Sequence, residues 1–481
     1  MKIAIEGCCH GELDKIYDAI LELESRDNIK VDLLLCCGDF QAVRNDTDLN
    51  CMAVPIKYRQ MNTFYKYYSG EKKAPVLTIF IGGNHEASNH LWELGYGGWV
   101  APNIYYLGYS GAVQFGGLCI AGLSGIYKYH DYERGHFEMP PYNGGTVRST
   151  YHVRKFDVFK LKKLKHVDIA MSHDWPRRIY HHGNTEELLR SKPFFRDEVT
   201  HNTLGSPPAE ELLTSLRPLH WFSAHLHCRF EASYKHCSSN GEVISTTKFL
   251  ALDKCLPRRH FLEVIDVPHC DDAALKLCYD PDWLAITKAT ANMFPITKQQ
   301  WIPPLVMDDI MNTPEDIETM RTAFGGSFKI PENFQQTVKC FDPSQRINHR
   351  AVAMATVNPQ TQEFCDKLGI ANPFVPPEPS GSAAGVTELA WLGGDQLQGL
   401  VTTNPDRIDI DSDDDVIATP TDPPPLDTTE MLPLTTETRK RPTNDKPVVI
   451  KRRNASLYQS NDDDDITDSS HDVTDSSHDT Y

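Results

Sequence analysis

The chain has 481 residues, 40% of them apolar, enough for two domains plus extensions and a substantial core. No run of about 18 apolar residues occurs, which excludes a helical membrane span. The net charge of −18 is unevenly placed: residues 376–481 hold 22 acidic and 8 basic residues, so residues 1–375 are close to neutral at −4 and remain compatible with an anionic substrate held by cations.

The opening MKIAIEGCCHG carries no charged-then-apolar leader, which argues against a secreted product. Thirteen cysteines, an odd number without zinc-ribbon spacing, fit a reduced intracellular compartment in which most thiols are small buried side chains.

Five short apolar runs follow one another, and each ends on a polar turn. KIAIEG runs into Cys8-Cys9-His10, VDLLLCC into Gly38-Asp39-Phe40, and VLTIFIG into Gly83-Asn84-His85-Glu86. VDIAMS runs into His173-Asp174 and WFSA into His225-Leu226-His227. Runs of this length bounded by turn residues predict buried strands. Chemistry in layered α/β folds gathers at the carboxyl ends of such strands.

Between them, Ile16, Ala19, Ile20 and Leu23 recur at helical spacing and predict a crossover helix over Leu13–Leu23. Helices are also expected over Pro55–Tyr68, Val153–Leu164 and Ala209–Leu216, and short strands over Val113–Phe115 and Leu118–Ala121. Residues 125–152 break the pattern, with many aromatic, His and Arg side chains between Pro140-Pro141 and Gly144-Gly145. A long aromatic loop of this kind is expected to be ordered and functional.

Residues 237–375 stay globular, with helical patches at Pro314–Ala323 and Phe364–Ile370, and carry no catalytic motif; they are expected to support the first domain. From residue 376 the composition turns to Pro, Ser, Thr, Gly and Asp, too little apolar surface to offset chain entropy, so a disordered tail is expected. It holds an imperfect TDSSHD repeat, an acidic cluster around Ser412 that reads as a kinase target, and two basic clusters, Arg439–Arg441 and Lys451–Arg453. The basic pair reads as a bipartite nuclear address for an import receptor.

GDF, GNHE and HxH together, after an apolar first strand, resemble the calcineurin-like metallophosphoesterase superfamily over about residues 1–230. The usual first motif there is Asp-x-His; here it is Cys8-Cys9-His10. That departure, with SHDWP around His173 and the aromatic insertion after Gly125, is similar to one branch, the RNA lariat debranching enzymes, over residues 1–375.

The resemblance implies an α/β fold: a layered β-sandwich flanked by helices, with a smaller, mostly helical C-terminal domain. It places a catalytic domain at 1–236, with 125–152 as lariat-recognition loop, and a supporting domain at 237–375. It also implies two divalent metal ions, Fe²⁺, Zn²⁺ or Mn²⁺. Asp39 would bridge them, with Cys8, His10 and His227 around one and Asn84, His173 and His225 around the other. A thiolate at Cys8 shifts preference away from hard Mg²⁺.

His85 would protonate the leaving oxygen, oriented by Glu86 or another partner. The substrate would be branched intron lariat RNA, cut at its 2′–5′ phosphodiester, in a nuclear protein with access to the cytoplasm. Tyr129, Tyr132, Arg148 and Tyr151 are the expected RNA contacts, since unstacked nucleotides are read by aromatic faces and cations. Two other readings stay open on the residues: a general phosphoesterase acting on other nucleic acids or nucleotides, and a catalytically idle scaffold of the same fold.

Overall fold

A computed structural model describes residues 1–270, 273–304 and 313–376; the expected disordered tail and its basic clusters lie outside the described residues. Among the described residues, thirteen strands form two sheets. They are β1 (Lys2–Glu6), β2 (Leu33–Cys36), β3 (Thr78–Phe80), β4 (Gly98–Ala101), β5 (Ile104–Tyr106), β6 (Ser110–Phe115) and β7 (Leu118–Leu123), then β8 (Ile169–Ser172), β9 (His220–Ser223), β10 (Phe230–Cys237), β11 (Val243–Ala251), β12 (Leu262–Asp266) and β13 (Cys278–Tyr279). One sheet runs β12-β1-β2-β3-β5-β4 and the other β10-β11-β9-β8-β7-β6-β13.

Each sheet has a parallel centre, β1-β2-β3-β5 and β7-β8-β9-β11, closed by antiparallel strands at its edges. Strands covered on both faces read as unbroken apolar runs rather than alternating ones. In β1, Ile3 and Ile5 join Ile120, Ile169 and Phe222 of the opposite sheet in a central core. Ala4, between them, packs outward with Ile16 and Ile20 of the helix Leu13–Asp27. A third apolar layer, with Trp175, Trp221 and Leu212, covers the outer face of the second sheet.

The expected strands all form. The stretch Pro55–Tyr68 does not make one helix: it divides into a 3-10 turn at Ile56–Tyr58 and a short helix at Phe64–Tyr68, with Asn62 between them at φ 45°. The last helix, Pro359–Leu368, begins earlier than expected because Asn358 caps it, accepting from the Gln360 N–H, with Pro359 at the first position.

Residues beyond 237 also build the sheets. The expected boundary at 236/237 falls inside the end of β10, just before the turn of the β10–β11 hairpin, with β11 lying between β10 and β9. Further on, β12 pairs with β1 in register Lys2 to Asp266, and β13 pairs with β6. Three helices, Pro281–Thr290, Pro314–Ala323 and Pro359–Leu368, supply most of the regular structure there.

Residues 125–152 are ordered, with two helical turns at Tyr129–Tyr132 and Thr146–Ser149. The fully buried Arg154 holds them together, donating to the Asp131 carbonyl at 2.8 Å, Glu138 at 2.6 Å and the Ser149 carbonyl at 2.7 Å. His136 Nε2 meets Asp157 at 2.6 Å and anchors the middle of the loop to the helix Lys155–Leu161. No helix among the described residues is long and apolar enough to cross a membrane.

A candidate metal centre at the strand ends

All five polar turns meet at the carboxyl ends of β1, β2, β3, β8 and β9. Cys8, Asp39, Asn84 and His173 are buried at the floor, while His10, His85, His225 and His227 are half-buried around the opening. The ligand atoms of Cys8, His10, Asp39 and His227 all lie within 4.8 Å of one another.

Asp39 faces two ways. Its Oδ2 is 3.9 Å from His10 Nε2, and its Oδ1 is 3.4 Å from His173 Nε2. Asn84 Oδ1 is 3.3 Å from the same His173 nitrogen, and the His225 ring centroid lies 4.9 Å from that of His173. The carboxylate of Asp39 therefore stands between the group of Cys8, His10 and His227 on one side and His173 with Asn84 on the other, with His225 beside His173.

Backbone strain makes this convergence. His10, Asp39, His225 and His227 have φ values of 47°, 48°, 63° and 47°, a left-handed region seldom used by non-glycine residues and concentrated at functional sites. An extended HxH would send its imidazoles to opposite faces; two left-handed residues in three let both reach the centre. Glycines supply the room. A Cβ at Gly83 would lie 2.3 Å from Asp39 Oδ1, and one at Gly38 would lie 2.2 Å from His173 Nδ1.

The surroundings fix each group. His173 Nδ1 donates to the Cys37 carbonyl at 2.8 Å, and the Gln41 amide sits 3.0 Å from His10 Nδ1, so each Nε2 turns inward. The His225 N–H donates to Cys8 Sγ at 3.2 Å. Burial, opposed by Asp39, takes His10 down to about 3, and burial also lowers His225 and His227. Burial lowers His173 as well, but Asp39 beside it outweighs this and raises it to about 9. Asp39 is held well below the usual carboxylate range by His173, His85 and His10 despite burial that raises it. Burial and the Asp39 charge push the Cys8 thiol up.

Imidazoles, an ionised carboxylate, an amide oxygen and a thiol form a donor set suited to divalent first-row metals. The convergence of these donor atoms, in particular Cys8, His10, Asp39 and His227 within 4.8 Å of one another, fits a divalent metal.

Of the partners expected for His85, Glu86 is engaged with the backbone. Its carboxylate accepts the N–H groups of Phe40, Gln41 and Gly83 at 2.8, 2.9 and 2.9 Å and ties the Asp39 turn to the GNHE turn. The His85 N–H instead donates to Asp39 Oδ1 at 2.8 Å. Of the four expected RNA contacts, Tyr129 is exposed, Tyr132 and Arg148 are half-buried, and Tyr151 is buried with Ala53 and Ile126. Tyr151 is an anchor of the loop rather than an open stacking face. Asp174 escaped notice: one oxygen lies 3.5 Å from His225 Nε2 and the other accepts the Tyr127 N–H at 2.7 Å, linking the centre to the loop. Its position directly after His173 in SHDWP was the available signal.

The fold and the site define a calcineurin-like phosphoesterase, and the profile of that family matches residues 1–229. A second profile, the lariat debranching enzyme C-terminal domain, matches residues 244–373. The lariat debranching enzyme of Homo sapiens is 51% identical over 442 residues, covering 86% of this chain and 80% of that protein. Lariat debranching enzyme A of Xenopus laevis is 58% identical over 378 residues, 77% of this chain and 71% of its own. The Drosophila melanogaster protein is 42% identical over 544 residues, 96% of this chain and 100% of its own. The chain belongs to the lariat debranching enzyme family.

Proposed function

We propose that this protein hydrolyses the 2′–5′ phosphodiester at the branch point of excised intron lariat RNA and releases a linear intron. The observation that carries the reading is the convergence of both halves of a metal centre on Asp39 in a chain of the debranching family. Cys8, His10 and His227 would hold one divalent cation, Asn84, His173 and His225 the other, with Asp39 between them. Fe²⁺, Zn²⁺ and Mn²⁺ suit the set, the Cys8 sulfur favouring Fe²⁺ and Zn²⁺. Two such cations supply Lewis-acid polarisation of the phosphate and activation of a water.

The protein's own part is positioning and proton transfer. His85 stands at the open side, its ring centroid 5.4 Å from that of His10 and its backbone fixed on Asp39. From there its imidazole protonates the departing 2′-oxygen. Tyr129, Tyr132 and Arg148 would receive unstacked nucleotides flanking the branch. The basic clusters at Arg439–Arg441 and Lys451–Arg453 suit an import receptor and a nuclear site of action.

The test is cleavage of a synthetic branched RNA against the matching linear RNA, after anaerobic loading with each of the three metals. Selective, metal-dependent cutting at the 2′–5′ bond that is lost in His85→Ala is the expected result. Equal attack on both RNAs would make the protein a general phosphodiesterase, and no turnover with any metal would leave it a scaffold.

A further inference from the structure

A cleft of about 540 Å³ opens beside the recognition loop, between the helix Lys155–Leu161, the lysines that follow it and the segment around Trp301. Its walls combine two kinds of side chain. Lys155, Lys162, Lys163 and Lys165 supply ammonium groups, and Phe159, Trp301 and Tyr132 supply aromatic surface. Trp301 stands edge-on to Phe159 at 5.3 Å, and the Lys163 ammonium lies 5.6 Å from the Phe159 ring centre.

The lysines are not locked away. Lys155 meets Glu133 at 3.0 Å, Lys162 meets Glu211, and Lys165 is 4.0 Å from Asp282. These pairs are partly or well exposed to solvent, where an ion pair contributes little and a phosphate competes well. Cations interleaved with aromatic faces match single-stranded nucleic acid, whose phosphates and bases need one of each. An acidic peptide would use the lysines and leave the rings idle; an apolar ligand would do the reverse.

The cleft is also linked to the metal centre. Tyr132, in its wall, meets Tyr127 edge-on at 5.5 Å. The Tyr127 N–H bonds to Asp174, whose other oxygen faces His225. A chain of contacts through the recognition loop thus links the wall of the cleft to the residues beside His225.

We propose that this cleft binds a single-stranded arm of the branched RNA at a distance from the scissile bond. The inference rests on the debranching reading, and it adds a binding site formed largely outside residues 125–152.

The experiment compares two branched substrates on the full metal-loaded chain: a minimal branch with single-nucleotide arms, and the same branch with single-stranded arms of about ten nucleotides. For the unaltered protein, long arms should lower KM about tenfold at physiological salt, with a steep salt dependence. The combined variant Lys162→Gln, Lys163→Gln, Lys165→Gln should lose that advantage and flatten the salt dependence, with turnover of the minimal branch as its control for folding. Phe159→Ala should lose part of the advantage through stacking. A lysine variant that keeps the long-arm advantage overturns the proposal. So does an equal advantage from duplex arms, or an equal loss on both substrates. Failure of the unaltered protein to cut even the minimal branch strikes the debranching reading instead.

Discussion

His173 donates its Nδ1–H to the carbonyl of Cys37 across 2.8 Å, and this bond turns Nε2 toward Asp39 and Asn84. The ring has no alternative seat, because the space above it is the absent side chain of Gly38, which sits at φ 112°. Gly38→Ala should displace the ring by forcing both a clash and a strained backbone. The expected result is a loss of about 10- to 100-fold in metal affinity or turnover, the range found when groups orienting a metal ligand are disturbed. Metal stoichiometry by elemental analysis, alongside kcat on branched RNA, decides it; full occupancy with unchanged kcat would refute the role given to this contact.

Asp131 organises the recognition loop through His152 Nδ1 at 2.7 Å and the Arg134 guanidinium at 2.7 Å. Burial alone would raise its pKa. The hydrogen bond and charge of His152, with Arg154 and His130, outweigh that and bring it down to about 2. A carboxylate whose folded value lies below its unfolded one adds stability that is complete above about pH 4 and lost as the pH falls toward 2. Asp131→Asn should therefore destabilise the protein near neutrality by about 1 kcal/mol, solvent screening reducing the full effect of the shift, and progressively less below pH 4. Urea unfolding at stepped pH measures it; a gap that stays constant down to pH 3 would place the effect in packing rather than charge.

The strands around the site are readable because each central strand is buried on both faces and so appears as a bare apolar run ending in a polar residue. Asp39, His173 and the HxH pair were legible for that reason. Glu86 was not: its partners are backbone N–H groups of Phe40 and Gln41, and backbone bonds leave no trace in residue spacing. The pairing of β12 with β1 is equally hidden, since Leu262–Asp266 alternates weakly and has no fully buried position. Tyr151 misled because aromatic content in a loop signals order without saying which rings face outward.

Arg44 is fully buried between two carboxylates. Its guanidinium reaches Asp48 at 2.7 and 3.0 Å and Glu93 at 2.9 and 3.2 Å, and it also donates to Thr337 at 3.0 Å, a residue from the region beyond the sheets. The two acids hold the guanidinium firmly protonated against the effect of burial. Arg44→Met would leave Asp48 and Glu93 facing one another without a cation. Removing one member of such a buried network costs about 3–5 kcal/mol. Thermal unfolding should show a large fall in Tm; a change below about 1 kcal/mol would mean that the carboxylates find other partners.

Phe374 closes the last of the aromatic packing near the end of the described residues. Its ring meets Trp92 at 5.8 Å, Tyr96 at 5.4 Å, Tyr109 at 5.8 Å and Phe294 at 5.5 Å, over Gly95, where any Cβ would collide with it. Tyr109 and Phe294 in turn stack on His136 of the recognition loop at 4.2 and 5.7 Å. Loss of the Phe374 ring should cost about 3–5 kcal/mol, the usual range for a buried Phe cut to Ala, and should loosen the loop through His136. Two truncations separate this packing from the tail. Ending the chain after Val375 should leave kcat on branched RNA unchanged, whereas ending it after Asn372 should lower Tm and raise KM as the loop loses its support. A fall in kcat for the longer of the two would assign the residues beyond 375 a part in catalysis.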